Sequence, residues 1–134
     1  MKLLTMTAAG TLAVLGMIGA GAASAQDPAQ VAQGAAAFQH TCAPCHAAGP
    51  GNDGAKVEPA VAALQLKYQG KEPALIEHRT DLPYAALKAI VRNGTGAMAP
   101  LRPSEISDTQ IAAVAAYIAD TAQKWVAAGK PGGN

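Results

Sequence analysis

Two thiols and an imidazole are compressed into five residues, Cys42-Ala43-Pro44-Cys45-His46, and the 134-residue chain has no other cysteine. Cysteines three apart lie about one helical turn from each other, so both sulfurs face one side of the segment with His46 next in line. A redox dithiol of the thioredoxin kind needs a preceding strand and a surrounding βαβ unit. No strand pattern precedes Cys42. A zinc site needs a fourth ligand at fixed spacing, and beyond His46 the chain offers no cysteine and, of histidines, only His78. The residues favour a third reading: Cys-x-x-Cys-His as the attachment site of a covalent c-type haem, with Cys42 and Cys45 on its two vinyl groups and His46 carried to the iron.

Residues 1–25 read as a secretory signal peptide. Lys2 supplies a positive start, residues 6–23 are apolar or small, and Ala23-Ser24-Ala25 fits a small-x-small site, which predicts cleavage before Gln26. An uncleaved membrane anchor competes, but a span needs about 20 strongly apolar residues, and Gly10, Gly16, Gly19 and Gly21 dilute this run. Export to the periplasm suits the haem reading, because attachment needs reduced thiols delivered to a compartment that otherwise makes disulfides. Residues 26–128 then form one monohaem domain and 129–134 a flexible tail, with no membrane span in the mature chain.

The chain carries ten basic and nine acidic residues, and removal of Lys2 leaves nine of each. No basic stripe argues for nucleic acid or anionic lipid. Aromatic residues are few (Phe38, Tyr68, Tyr84, Tyr117, Trp125) and alanine dominates the other apolar positions. A domain of this size buries only about two-thirds of its unfolded surface. Its own core is therefore thin, and a porphyrin is a large apolar slab that would fill it.

Along the mature chain only helical periodicity appears, which predicts an all-α fold. Asp27-Pro28 is an N-cap with proline at the first helical position, and Val31, Gly34, Ala35 and Phe38 recur on one face up to Thr41. Residues 47–57 have loop composition. Pro59 starts a short helix through Tyr68, and residues 71–80 read as irregular. A further helix begins near 81–83, turns Leu87, Ile90 and Val91 inward and stops at Asn93-Gly94. Ser107-Asp108-Thr109-Gln110 is a capping box for a terminal helix with Ile111, Val114, Ala115 and Ile118 as its buried stripe. Gly34 and the small residues of that helix invite a close crossing, with Phe38 and Tyr117 beside the contact.

The sixth iron ligand separates electron carriage from small-molecule binding. Met98 is the one methionine left after the signal, and it lies in a Gly/Pro-rich loop with no helical face to belong to. His78 is the alternative, and His40 stands too close to the motif to reach the far side. Gly49-Pro50 is placed to turn the chain back and offer the Pro50 carbonyl to the free nitrogen of His46. Tyr68, Arg79, Arg92, Arg102 and Trp125 are the available donors for propionates.

The order helix, Cys-x-x-Cys-His, Gly-Pro, capped helix, Asn-Gly-x-Gly-Ala-Met loop and terminal helix resembles class I cytochromes c from about Gln33 to Ala119. That resemblance implies three to five helices around one covalent haem c, N- and C-terminal helices that cross, His46 and Met98 as metal ligands, and Pro50 orienting His46. The stretches Glu77 to Leu82 and Val91 to Met98 are similar to the small cytochrome subunits that accept electrons from FAD enzymes of the p-cresol methylhydroxylase and eugenol hydroxylase type. The likeness implies an FAD-containing oxidoreductase as donor and another cytochrome or a copper protein as acceptor. Such loops usually continue Met-Pro, whereas this one runs Met98-Ala99-Pro100, a freer backbone after the ligand.

With both axial positions filled, only an electron can pass. The chain is expected to be a one-electron carrier, not an enzyme, docking weakly through small apolar residues such as Ala43, Pro44, Ala97 and Pro100. The alternative is a haem protein whose Met98 is labile, which would bind small ligands or turn over peroxide.

Overall fold

The computed structural model describes residues 26–50, 54 and 56–132; the expected signal segment lies outside them. Asp27 opens α1 (Pro28–Thr41), its carboxylate accepting from the Ala29 amide at 3.1 Å. Pro28 sits in the first turn, where its missing N–H costs nothing. The Cys42 amide closes the helix on the Phe38 carbonyl at 2.8 Å. One further turn, α2 (Ala43–His46), follows at once. The cysteine-histidine motif is thus a helical turn carried on the end of α1.

The next helix, α3 (Pro59–Tyr68), ends where Gln69 (φ 50°) and Gly70 (φ 79°) both turn left-handed. Within 71–80, expected to be irregular, Ile76–His78 forms one 3-10 turn. Helix α4 (Tyr84–Asn93) stops at Gly94 as its terminator predicts. It buries Leu87 and Val91, while Ile90, expected beside them, is half-buried. In α5 (Asp108–Ala127) both halves of the capping box form: Ser107 Oγ accepts from the Gln110 amide at 3.2 Å, and Gln110 Oε1 accepts from the Ser107 amide at 2.9 Å. Among the described residues the fold is all-α, with a single bridge between Thr95 and Met98. No helix among them is long and apolar enough to cross a membrane.

The N- and C-terminal helices cross in contact. A Cβ built on Gly34 would lie 2.0 Å from the Ala113 carbonyl oxygen and 2.9 Å from Tyr117 Cβ, so the absence of a side chain lets the two backbones meet. Beside the crossing Phe38 is fully buried, its ring 5.3 Å from that of Tyr117 and tilted by 50°. Phe38, Leu87, Val91, Ile106, Ile111, Val114 and Ile118 make the body of the core. Alanines fill much of the remainder, which is the thin core the composition predicts.

The 3-10 turn is fastened to α5. The Tyr117 hydroxyl donates to Glu77 Oε1, Thr121 Oγ1 donates to the Glu77 carbonyl at 2.9 Å, and His78 stacks on Trp125 at 3.5 Å. Burial and the Glu77 carboxylate both push the Tyr117 hydroxyl pKa up. Of the segment expected as a tail, residues 129–132 turn back: Trp125 Nε1 donates to the Pro131 carbonyl at 3.0 Å and Lys130 lies over the indole at 4.1 Å. Residues 133–134 lie outside the described part.

Candidate functional site

Cys42 ends α1 and begins α2, so the rigid helix that crosses α5 carries the motif. Both cysteines are free thiols, Cys42 half-buried and Cys45 exposed. Burial, reinforced by the neighbouring Cys45, pushes the Cys42 thiol up to about 11. A dithiol oxidoreductase needs a thiol pKa lowered, not raised. Nor do three or more His, Cys, Asp or Glu side chains converge as a metal site among the described residues, so the zinc reading lacks its ligand set.

Burial lowers the His46 pKa, which keeps the ring neutral at neutral pH, the form that binds a metal. Its Nδ1 is buried without a hydrogen-bond partner. The bond expected from His46 to the Pro50 carbonyl is not made. Pro50 is exposed whereas Nδ1 is buried, so the two are not brought together. Ala43, expected on an exposed rim, is likewise corrected: as the first residue of α2 it is buried in the core, whereas Pro44, Ala97 and Pro100 are exposed.

Met98 arrives from the other side of the sequence. Thr95 and Met98 exchange backbone hydrogen bonds at 3.0 and 2.9 Å, a tight turn that fixes both polar groups of the methionine backbone. Gly94 makes the turn possible, with φ 71° and only 2.5 Å between a built Cβ and the Met98 carbonyl oxygen. Met98 is half-buried and packs on the same core cluster as Cys42 and Ala47. The fold thus brings the two distant segments against one apolar body.

Tyr68 and Arg79 do come together, the guanidinium 4.9 Å from the ring centre. Arg79 is however engaged by carboxylates: its Nε donates to Asp81 Oδ1 at 2.5 Å, its Nη2 meets Asp81 Oδ2, and Glu72 Oε2 lies at 3.1 Å. The Asp81 bond raises the Arg79 pKa, and the same bond holds Asp81 below the usual carboxylate range. The remaining donors also have protein partners. Arg102 pairs with Glu105 at 3.2 Å, and Trp125 serves Pro131. His78, stacked on Trp125, borders two shallow clefts, and neither cleft is lined by Cys42, Cys45, His46 or Met98.

Arg92, a donor available for a propionate by its residue type, is taken up by protein acceptors. Its Nη1 donates to the Leu101 carbonyl at 2.9 Å, and its Nη2 to the Ile106 carbonyl and to Asp108 Oδ1, each at 2.7 Å. Lys88 closes the cluster on Asp108 Oδ2 at 2.7 Å. Sequence reading missed this cluster. Its one visible signal is the cation in the last turn of α4, which could have been matched to the acidic first turn of α5.

A family model described as cytochrome C oxidase, cbb3-type, subunit III matches residues 29–118, from the first turn of α1 into α5. The chain belongs to the c-type cytochromes. A cytochrome c6 from Leptolyngbya boryana is 38% identical over 97 residues, covering 72% of this chain and 98% of that protein. No solved structure matches the chain. As a c-type cytochrome it carries covalent haem c and is an electron-transfer protein, not an enzyme. Its residues fit that group. Two free thiols stand a helical turn apart, a neutral imidazole leaves one buried nitrogen unpartnered, and a thioether packs on the core that Cys42 also touches. The matched family and the relative are both c-type cytochromes, and neither is named for a flavoenzyme.

Proposed function

We propose that this cytochrome carries single electrons between proteins in the periplasm, and that His46 and Met98 would hold the haem iron. The donor is an FAD-containing oxidoreductase and the acceptor another cytochrome or a copper protein. The observation that carries the reading is the packing of Cys42 and Met98, far apart in sequence, on one core cluster. Haem c supplies a metal that changes oxidation state by one electron. The protein supplies the rest: Cys42 and Cys45 tether, His46 donates its neutral imidazole, and the Thr95–Met98 turn presents the thioether. Met98 as an iron ligand would raise the potential, which suits electrons leaving a reduced flavin.

The docking surface follows from exposure. Pro44, Cys45, Ala97, Ala99 and Pro100 are exposed, small or apolar residues flanking the motif and the methionine loop, and none carries charge. A mature chain with equal numbers of acidic and basic residues gives association little to screen.

Two measurements test the proposal. Absorption spectra of the exported protein should show the far-red sulfur-to-ferric band, and Met98→Ala should abolish it. Stopped-flow reduction by a reduced FAD oxidoreductase should change by less than about threefold as salt rises through the range in which the Debye length falls from ~30 to ~8 Å. A colourless product from a host with a working maturation system overturns the haem assignment. Retention of the band in Met98→Ala removes the axial ligand, and collapse of reduction with ionic strength removes the uncharged docking surface.

A further inference from the structure

We propose that Arg92 is a positioning residue for Met98, acting through the loop that presents it. The inference rests on the Met98 ligation put forward above. Residues 94–107 connect α4 to α5, and Met98 lies in their first half. At the near end the Gly94 amide is still bonded to the Ile90 carbonyl at 2.8 Å, so the loop starts from a fixed helix. Farther along, the Leu101 amide returns to the Val91 carbonyl at 2.8 Å. The guanidinium of Arg92 completes this return from the other side, taking the Leu101 carbonyl, the Ile106 carbonyl and Asp108 Oδ1 together.

The chemistry of the acceptors separates this cluster from an ordinary surface ion pair, which contributes little. Two of the three acceptors are backbone carbonyls of the connecting loop, and the side chain doing the bonding is mostly buried, at 18% exposure. A planar fork with five donors can serve three acceptors at fixed angles. A lysine ammonium has three donors on one atom and does not reproduce the wide, rigid fork that spans these acceptors. Asp108 is itself held by Lys88 from the preceding turn of α4, so the fork is anchored at its far end as well. The residues between Gly94 and Leu101 therefore form a short span clamped at both ends, and the thioether hangs from that span. Loosening the Leu101 end releases the methionine without touching His46, Cys42 or Cys45.

The test uses the ferric holoprotein and added imidazole, which competes with the thioether for iron. Arg92→Gln is expected to bind imidazole at least tenfold more tightly than wild type, a change of about 1.4 kcal/mol, and to lose part of the far-red band. Arg92→Lys should fall between the two. In a Met98→Ala background, where no thioether remains to displace, Arg92→Gln should leave imidazole affinity unchanged. Equal affinity in Arg92→Gln and wild type overturns the inference, and so does an undiminished increment in the Met98→Ala background. Should Arg92→Gln not accumulate, Asp108→Ala removes one acceptor and should show a smaller increase in the same direction; no increase overturns the proposal. If Met98→Ala itself keeps the band and the wild-type affinity, both readings fall. If Met98→Ala loses the band while Arg92→Gln behaves as wild type, only the role of Arg92 falls.

Discussion

Gly34→Ala sets two well-known effects of one methyl group against each other. In an exposed helix interior, replacing glycine by alanine stabilises by ~1 kcal/mol through helix propensity. Here the new Cβ would stand 2.0 Å from the Ala113 carbonyl oxygen, where ordinary contact starts near 3.4 Å, so α1 and α5 must separate by about 1.4 Å. The obstacle is backbone, which has no rotamer to yield. Overpacking of this kind costs ~1–3 kcal/mol, and opening the crossing also loosens the Phe38–Tyr117 ring pair, worth ~0.5–1.5 kcal/mol. After the propensity gain the net loss is about 2 kcal/mol. For a domain near this size each kcal/mol moves the melting temperature by ~4–8 °C, so Tm should fall by about 10 °C or more. Thermal and urea unfolding of the holoprotein, followed by far-UV circular dichroism, measure it. Ala36→Gly on the exposed face of the same helix calibrates the propensity alone and should cost ~1 kcal/mol. A Gly34→Ala protein as stable as wild type, or more so, would refute the close crossing.

Other perturbations read other parts of the structure. Ser107→Ala deletes the side chain that accepts from the Gln110 amide and should lower the urea midpoint by the equivalent of ~1 kcal/mol, without altering the visible spectrum. Because Arg79 holds Asp81 below its ordinary 3.8, the stabilisation from that pair is complete above that value and disappears as pH falls through the lower folded value. Asp81→Asn should therefore be less stable than wild type at neutral pH, and the gap between them should close on acidification below pH 4 in a series of unfolding curves. Replacing Cys42 and Cys45 together by serine gives a protein that cannot retain haem covalently. Near-UV dichroism and urea titration should show a much weaker and less cooperative transition, and a wild-type midpoint would contradict the thin-core reading.

What could be read from the sequence is what local chemistry decides. Helix ends depend on residues within one turn, so Asp27-Pro28, Ser107 with Gln110, and Asn93-Gly94 marked boundaries that the structure reproduces. Gly34 was legible because a glycine among alanines on a buried face has few reasons to persist there. Positions that depend on where a distant segment returns were not legible. Ala43 looked like a rim residue beside Pro44, but the first residue of α2 faces the core cluster. Pro50 lies close enough to His46 in sequence to be offered as an acceptor, yet its exposure is set by a loop whose path no local pattern specifies. The Arg92 acceptors lie 9 to 16 residues away, and Glu77 and Tyr117 pair across 40. In both cases the residue type announced a donor, and only the fold could choose its acceptor.

The two sides of the site are held by different means, and that asymmetry constrains the chemistry. His46 sits on a helical turn continuous with α1, whose position is fixed by backbone contact with α5 at Gly34. Moving the imidazole means moving a helix through a crossing that has no free space. Met98 is presented by a turn closed by two backbone hydrogen bonds and returned to α4 by the hydrogen bonds at Leu101, with Met98 and Leu101 only partly buried against the core. Each such bond contributes ~0.5–1.5 kcal/mol net, somewhat more where the donor is charged, so the loop can open locally at a small fraction of the cost of opening the helix pair. On the proposed ligation, the Met98 side would therefore be the first to yield while His46 stays in place. On that proposed ligation, whether the protein acts as a closed carrier or admits outside ligands would turn on the hydrogen bonds between α4 and residues 98–108 and on the partial packing of Met98 and Leu101 against the core.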